Sequence, residues 1–161
     1  MINNQIDDEE QKDLVEEYSK FLSLDKVLEI GTGYGRLSKF FTNYTGIDKN
    51  KNHIIKSNGI RILSNGNSLP FKDKLFDLVF SCTALMLNKN VISIVNEMAR
   101  CSKRYVMFIE LKKNTKWAYG HDYQRFMETN RFELYDFKTL RTSPRSKPLG
   151  LWLFRRKGSR Y

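Results

Sequence analysis

The feature that most constrains the fold of this chain is an apolar run followed by three alternating glycines. The segment Lys26-Val-Leu-Glu-Ile30 is typical of a buried strand, and Gly31, Gly33 and Gly35 follow it at once, before a stretch with helical spacing. Glycines at a strand end and helix start let the backbone approach a ligand closely, because no side chain intervenes. The alternative is a tight connecting turn without a ligand, although such a turn does not need three glycines.

Further strands and helices alternate along the chain. An opening amphipathic helix is expected over Asp7–Leu22. Strands are expected at Lys26–Ile30, Tyr44–Ile47, Arg61–Leu63, Phe76–Ser81, Arg104–Leu111, Phe132–Phe137 and Gly150–Phe154. Helices are expected through Leu37, Phe40 and Phe41, at His53–Ser57, over Val91–Ala99 and at Tyr123–Thr129. Alternation of this kind predicts an α/β fold with a mainly parallel sheet covered on both faces. The loop before the last strand is too short for a crossover helix, so at least one strand is expected to run antiparallel.

Length and charge limit the possible classes of protein. With 161 residues and 40% hydrophobic residues, we expect one folded domain spanning 1–161. The net charge is +10, and it is −6 over residues 1–25, +6 over 26–100 and +10 over 101–161. The basic residues of the last third could contact nucleic-acid phosphates or form an ordinary solvated surface: Lys112, Lys113, Lys116, Arg141, Arg145, Lys147, Arg155, Arg156, Lys157 and Arg160.

Targeting and metal-binding signals are absent from the sequence. The amino terminus lacks the basic and apolar regions of a signal peptide, and no apolar stretch has the roughly 20 residues that a spanning helix needs. Cys82 and Cys101 form no pair with close spacing and no cluster with His53 or His121. We therefore expect a cytoplasmic protein with no metal site and no membrane association.

Asp48 points to a nucleoside ligand. It ends the second strand, 17 residues after Gly31, where a carboxylate can accept hydrogen bonds from both ribose hydroxyls. The dinucleotide fingerprint requires a glycine where this chain has Arg36, which disfavours an NAD enzyme. A phosphate-binding P-loop is excluded as well, because no Gly-Lys-Ser/Thr follows the turn.

Four segments together resemble the class I S-adenosylmethionine-dependent methyltransferases, in particular the small type of that family. They are Glu29-x-Gly31-x-Gly33-x-Gly35, Gly46-Ile-Asp48, Ser68-Leu-Pro-Phe71 and Phe76-Asp-Leu-Val-Phe-Ser81, and the β-α pattern covers nearly the whole chain. The resemblance implies a Rossmann-like, doubly wound, seven-stranded sheet with an antiparallel strand at its carboxyl-terminal edge. It also implies S-adenosylmethionine as cofactor and S-adenosylhomocysteine as product.

Cofactor-binding residues follow from the same resemblance, position by position. They are Glu29, Gly31, Thr32, Gly33, Tyr34, Gly35, Asp48, Lys49, Asn65, Gly66 and Ser81. The family often has Asp where this chain has Asn65, to bond the adenine amino group. A neutral acceptor weakens that bond by about 1 kcal/mol, so a modest cofactor affinity is expected. Asp48 could instead cap the following helix, and Asn65 and Gly66 could simply form a loop.

The methyl acceptor is not specified by the sequence. The Asn/Asp-Pro-Pro-Tyr/Phe motif of adenine amino-group methylases is absent, and so is the Pro-Cys pair of cytosine-C5 enzymes. Residues 1–25 are expected to form a helix, 26–111 a cofactor-binding half and 112–161 an acceptor-side half. Cys82, Thr83 and His121 are the candidate catalytic residues, although each could be structural. Trp117, Tyr119 and Tyr123 could form an aromatic wall or close the core.

Two classes of function therefore remain at this stage. The leading one is methyl transfer to an O, N, C or S atom of a small metabolite or of RNA. The alternative is a non-catalytic, basic nucleic-acid-binding module on the same fold, with an aminopropyltransferase as a weaker third possibility. The sequence does not determine the oligomeric state.

Overall fold

Seven strands form a single sheet in the computed structural model, which describes residues 4–56, 60–140 and 148–159. The strands are β1 (Lys26–Ile30), β2 (Asn43–Asp48), β3 (Ile60–Leu63), β4 (Phe76–Cys82), β5 (Ser102–Leu111), β6 (Phe132–Thr139) and β7 (Leu149–Arg156). The helices are α1 (Asn4–Phe21), α2 (Lys51–Lys56), α3 (Ile92–Cys101) and α4 (Tyr123–Thr129), and short 3-10 turns occupy Ser38–Phe40 and Leu85–Leu87.

The strand order is β3-β2-β1-β4-β5-β7-β6, and it confirms the expected Rossmann-like α/β class. Strands β1 to β5 are parallel, whereas β7 runs antiparallel to both β5 and β6. The antiparallel strand thus lies one place in from the carboxyl-terminal edge, and β6 forms the edge itself. The chain reverses its direction of strand addition between β1 and β4, where open α/β sheets form a ligand crevice at the carboxyl ends of their strands.

Helices cover both faces of the sheet, as the alternating pattern predicted. On one face, Val15, Tyr18 and Leu22 of the α1 region pack against Leu78 and Phe80 of β4. On the other, buried residues of α3 and α4, such as Val95, Met98 and Met127, pack against Val79 and Phe108. Because successive residues of β4 point to opposite faces, its continuous apolar run contributes to both cores.

The prediction of a helix after the glycine turn is wrong. Only turns and the 3-10 segment Ser38–Phe40 connect β1 to β2, although Leu37 is fully buried. Gly31, Gly33 and Gly35 all have positive φ, a conformation that an α-helix excludes. Few residues then remain before β2 starts at Asn43, too few to offset the cost of nucleating a helix.

Other boundaries differ by a few residues. Helix α1 begins at Asn4 rather than Asp7, and α2 begins at Lys51 rather than His53. Ser57, which was expected to end the second helix, lies outside the described residues, as do Arg141, Arg145, Lys147 and Arg160 of the basic set. Among the described helices, none combines the length and apolar character that crossing a bilayer requires.

Candidate functional site

A cavity of about 500 Å³ opens at the carboxyl ends of β1, β2 and β4. Ten of the residues singled out from the sequence line it: Glu29, Gly31, Thr32, Gly33, Tyr34, Asp48, Lys49, Asn65, Cys82 and Thr83. These residues come from four separate stretches of the chain, and the parallel sheet brings them to one edge because the carboxyl ends of β1, β2 and β4 meet there.

The first two glycines have different structural roles. Gly31 has a φ of +74°, and a Cβ atom there would lie 2.3 Å from the Cβ of Ala84. Gly33 has a φ of +54°, but a Cβ atom there would meet no protein atom within 4 Å. The N–H groups of Gly31 and Thr32 both donate to the carbonyl of Ile47 at 2.9 Å, which fixes the turn against β2. Gly33 therefore leaves its backbone open to the cavity.

Asp48 is held in its ionised form. Burial alone would raise its pKa, but the N–H groups of Asn50 (2.8 Å) and Gly33 (2.9 Å) donate to its carboxylate. The ring of His53 adds a contact of 3.3 Å between Nδ1 and Oδ1. Together these interactions hold the pKa of Asp48 below its usual value. The result is a charged acceptor at the cavity wall, beside the backbone of Gly33.

Tyr34 extends the wall on the same side. Its ring lies edge-on to His53, with a centroid separation of 4.6 Å, and it is largely exposed to the cavity. Asn65 faces the cavity from the loop after β3, while its side-chain oxygen accepts the N–H of Asn67 at 3.0 Å. Asn65 thus stabilises its own loop, and the second lone pair of its side-chain oxygen remains for a ligand.

Glu29 is a buried carboxylate at the base of the cavity. The hydroxyl of Tyr44 donates to it, and so does that of Thr32. Burial raises the pKa of Glu29 to about 7, and the bonds from Tyr44 and Thr32 with the charges of Arg36 and Arg61 only partly oppose that rise. Glu29 thus gains and loses a proton near neutral pH while supporting the glycine turn through Thr32.

Cys82 is unsuited to act as a nucleophile. It is buried between Arg36 and Gln11 of α1, with Sγ 3.3 Å from the guanidinium and 3.2 Å from the amide oxygen. Burial raises the pKa of the Cys82 thiol well above its usual value, so the reactive thiolate is disfavoured. Arg36 also pairs with Asp8 of α1 at 2.7 Å. Helix α1 thereby reaches the cavity wall, a contact that the sequence did not reveal.

Thr83 is a strained residue at the cavity. Its φ of +54° is rare for a β-branched side chain, and its N–H donates to the carbonyl of Ile109 at 2.8 Å. Strain of this kind concentrates at functional sites. It bends the chain after β4 so that residues 84–88 turn along the cavity.

Glu110 was missed by the sequence analysis. Fully buried near the end of β5, it accepts N–H bonds from Ala84 (3.1 Å), Leu85 (3.0 Å) and Met86 (3.1 Å) and a hydroxyl bond from Ser81 (2.9 Å). Burial raises its pKa and these bonds oppose the rise. The sequence signal for this role was a charged residue that interrupts the apolar run at the end of β5.

Four predicted site residues do not line the cavity. Ser81 is buried against Glu110. A Cβ atom on Gly35 would lie 2.2 Å from the guanidinium of Arg61, and one on Gly66 would lie 3.3 Å from Ile94, so both glycines permit close packing. His121 lies next to the cavity, with Nε2 3.0 Å from the carbonyl of Asn88. In the part of the chain that the structure describes, no cluster of three or more His, Cys, Asp or Glu side chains could hold a metal ion.

A family model and a curated relative match this chain. The model, described as a methyltransferase domain, matches residues 28–109, which is half of the chain. An uncharacterised protein of Methanocaldococcus jannaschii is 34% identical over 96 residues, which are 58% of this chain and 47% of that protein. The matched region therefore spans about half the length of this relative.

Solved structures share the fold at low sequence identity. Magnesium protoporphyrin IX methyltransferase from Synechocystis PCC 6803, with bound S-adenosylhomocysteine, has a TM-score of 0.78 at 15% identity over 98% of this chain and 89% of that one. A methyltransferase from Methanosarcina mazei has a TM-score of 0.68 at 20% identity over 82% and 92%. The cyclase SpnF has a TM-score of 0.74 at 14% identity over 91% and 80%, so the fold alone does not determine the reaction.

Proposed function

The chain belongs to the methyltransferase-domain family, and on that premise we propose that it transfers a methyl group from S-adenosylmethionine to an acceptor bound beside the cavity. One observation carries the proposal. The open glycine turn and the ionised Asp48 converge on a single cavity at the switch point of the sheet. Such a crevice is where doubly wound sheets bind nucleosides.

The residues present fit this cofactor. At Gly33 the space that a Cβ atom would fill is empty and faces the cavity, so the backbone there can contact a ligand directly. Asp48 keeps acceptor capacity free for a ribose hydroxyl, because Gly33, Asn50 and His53 occupy only three of the about four lone pairs of a carboxylate. Asn65, which lines the same cavity, would accept from the adenine amino group through its remaining lone pair.

Chemically, the cofactor supplies an activated methyl carbon. An acceptor's lone pair would attack this carbon, and the carbon–sulfur bond would break with its electron pair left on sulfur. The main contribution of the protein is alignment, which can lower a barrier by up to about 7–11 kcal/mol. Tyr34 offers a ring face to positive charge, worth about 0.5–2 kcal/mol. Cys82 is too deeply buried to attack, so no covalent enzyme intermediate is part of the proposal.

His121 is the candidate for removing the acceptor's proton. With Nε2–H donating to the carbonyl of Asn88, Nδ1 remains to accept a proton. Thr83 lies closer to the cavity, where its hydroxyl donates to the carbonyl of Cys82. We assign Thr83 to shaping the acceptor side of the cavity and His121 to proton transfer.

The remaining assignments are also proposals. We propose that residues 26–111 hold the cofactor, that 112–161 form the acceptor side, and that the acceptor is a small metabolite or RNA. A cytoplasmic location is supported by two free, buried thiols, Cys82 and Cys101, which suit a reducing compartment. Fractionation of cells that produce the tagged protein tests this location.

Calorimetric titration with S-adenosylmethionine and S-adenosylhomocysteine, with NAD as the control ligand, tests the proposed cofactor. We expect saturable binding of both adenosyl ligands and weaker binding by Asp48→Ala. Asp13→Asn, on the exposed face of α1, is the matched control and should bind as wild type. Absence of binding at millimolar ligand would refute the proposal and favour the basic nucleic-acid-binding module, whose RNA affinity should survive Asp48→Ala.

A further inference from the structure

Residues 112–121, termed here the aromatic loop, follow β5 at the carboxyl ends of the parallel strands, where the cavity also lies. The segment Lys-Lys-Asn-Thr-Lys-Trp-Ala-Tyr-Gly-His contains three lysines, one histidine and two large aromatic residues, and it contains no acidic residue. Interleaved basic and aromatic side chains are typical of surfaces that bind single-stranded nucleic acid.

One backbone and one side-chain hydrogen bond join the aromatic loop to the chain segment that forms the cavity wall. The N–H of Tyr119 donates to the carbonyl of Met86 at 2.8 Å, and His121 contacts the carbonyl of Asn88 at 3.0 Å. Asn88 and Leu87 line the cavity themselves. The loop is also folded on itself, because the N–H of Gly120 donates to the side chain of Asn114 at 2.9 Å. It is thus a structured rim of the site.

Trp117 lies at the tip of this rim and is 74% exposed. It sits in a turn in which the N–H of Thr115 donates to the carbonyl of Ala118 at 2.8 Å. The ammonium group of Lys116 lies 4.7 Å from the Trp117 ring centroid. Leu87 on the cavity wall is also 62% exposed. A large exposed ring held on an ordered turn beside a cavity is a surface for a flat, apolar partner.

The charges beside this ring favour a ligand with several phosphates. Lys113 and Lys116 are both exposed on the loop, and within the described part of the chain neither side chain forms an ion pair. A small planar metabolite would need the aromatic face but not several separated cations. A chain of bases and phosphates uses both.

We propose that the aromatic loop binds a single-stranded nucleic acid as the methyl acceptor, with an unpaired base stacked on Trp117 and phosphates at Lys113 and Lys116. This inference rests on the proposed methyl transfer and narrows its acceptor. Unpaired bases are required because a duplex buries the faces that Trp117 would contact. RNA and DNA share this chemistry, so both are probes in the test.

Fluorescence anisotropy with labelled RNA and DNA oligonucleotides of about 12 nucleotides, at several salt concentrations, measures the binding. We expect Trp117→Ala to weaken binding about tenfold, which is about 1.4 kcal/mol, and Trp117→Phe to retain most of it, because bases stack on aromatic rings. Lys113→Ala with Lys116→Ala should flatten the slope of log K against log salt by about 0.7 for each lysine that contacts a phosphate.

A matched control comes from the opposite end of the sheet. Lys74 and Lys103 are exposed and line a basic cleft of about 510 Å³, far along the strands from the cavity. Lys74→Ala with Lys103→Ala removes the same charge and should leave the affinity and the salt slope unchanged. An equal loss in this control would show diffuse electrostatic binding and overturn the proposal, as would wild-type affinity in Trp117→Ala.

Calorimetry with S-adenosylhomocysteine separates the two proposals. Trp117→Ala should bind this ligand as wild type does, because Trp117 does not line the cavity. If the wild type binds S-adenosylhomocysteine but neither oligonucleotide, the acceptor inference is wrong and the methyltransferase proposal stands. Comparison of the two oligonucleotides identifies which nucleic acid is preferred.

Discussion

A side chain at Gly31 would overlap Ala84, whereas one at Gly33 would meet no protein atom. Substitution of Gly31 should therefore affect mainly stability, and substitution of Gly33 mainly ligand binding. We expect Gly31→Ala to destabilise the protein by about 2–5 kcal/mol, because it combines left-handed strain with overlap against Ala84. Gly33→Ala should cost only about 1–2 kcal/mol, from left-handed strain alone, since no protein atom opposes its methyl group, but it should weaken S-adenosylhomocysteine binding. Urea unfolding and calorimetry on both variants measure the contrast. Equal stabilities would contradict the structural reading.

Glu29 makes stability depend on pH in a predictable direction. Its pKa rises from 4.5 to about 7 on folding, so the folded state binds the proton more tightly than the unfolded chain. The stability that protonated Glu29 contributes is complete below the pKa of the unfolded chain. It is lost as the pH rises toward the pKa of the folded protein. Relative to that of wild type, the free energy of unfolding of Glu29→Gln should therefore rise by about 1–3 kcal/mol between about pH 5 and about pH 8. Urea unfolding at both pH values measures it, and a constant difference would contradict it.

At the scale of elements, Glu110 organises the chain after β4. It is the common acceptor for three successive N–H groups of residues 84–86, which have no helix before them to satisfy those bonds. Ala84 and Leu85 line the cavity, and Met86 carries the carbonyl that accepts from the N–H of Tyr119. A single carboxylate on β5 therefore joins the cavity wall to the aromatic loop.

Glu110→Ala should destabilise the protein by at least about 3 kcal/mol, because it leaves several buried donors without an acceptor. Hydrogen exchange at the amides of residues 84–86 should accelerate at the same time, ahead of the rest of the sheet. Glu133→Ala on β6 removes a half-buried ion pair with Arg155 and should cost less than about 1 kcal/mol. Unchanged exchange at 84–86 in Glu110→Ala would refute the role assigned to Glu110.

The elements also show where sequence reasoning succeeds. The apolar runs of β1, β4 and β5 were located within about two residues, since a strand buried on both faces must be apolar throughout. The helix after Gly35 was wrong because Leu37, Phe40 and Phe41 fit a helical period, while the glycines before them impose positive φ. Leu37 reaches the core from a turn instead. The apolar pattern therefore predicted the burial of Leu37 correctly but its helical conformation incorrectly.

At the scale of the whole molecule, ligand binding should raise the thermal stability of the folded protein. A ligand that binds only the folded protein at 100 times its dissociation constant stabilises it by about 2.7 kcal/mol. For a chain of this length, we expect S-adenosylhomocysteine to raise the melting temperature by about 5–10 °C. Differential scanning fluorimetry measures the shift, with Asp48→Ala as the variant that should lose it. A shift of equal size in that variant would show that the ligand binds elsewhere.

The sequence by itself determined the class of fold and about half of the cavity lining, because those signals are local. A strand, a glycine turn and an acidic residue at the end of the next strand each occupy a few consecutive residues, and parallel pairing then brings them to one edge. Only the tertiary structure decided that α1 reaches Arg36 and Cys82, that Glu110 fastens residues 84–86, and that Ser81 and Gly35 pack away from the cavity. These contacts join residues far apart in the chain, and their geometry depends on packing that no local pattern records.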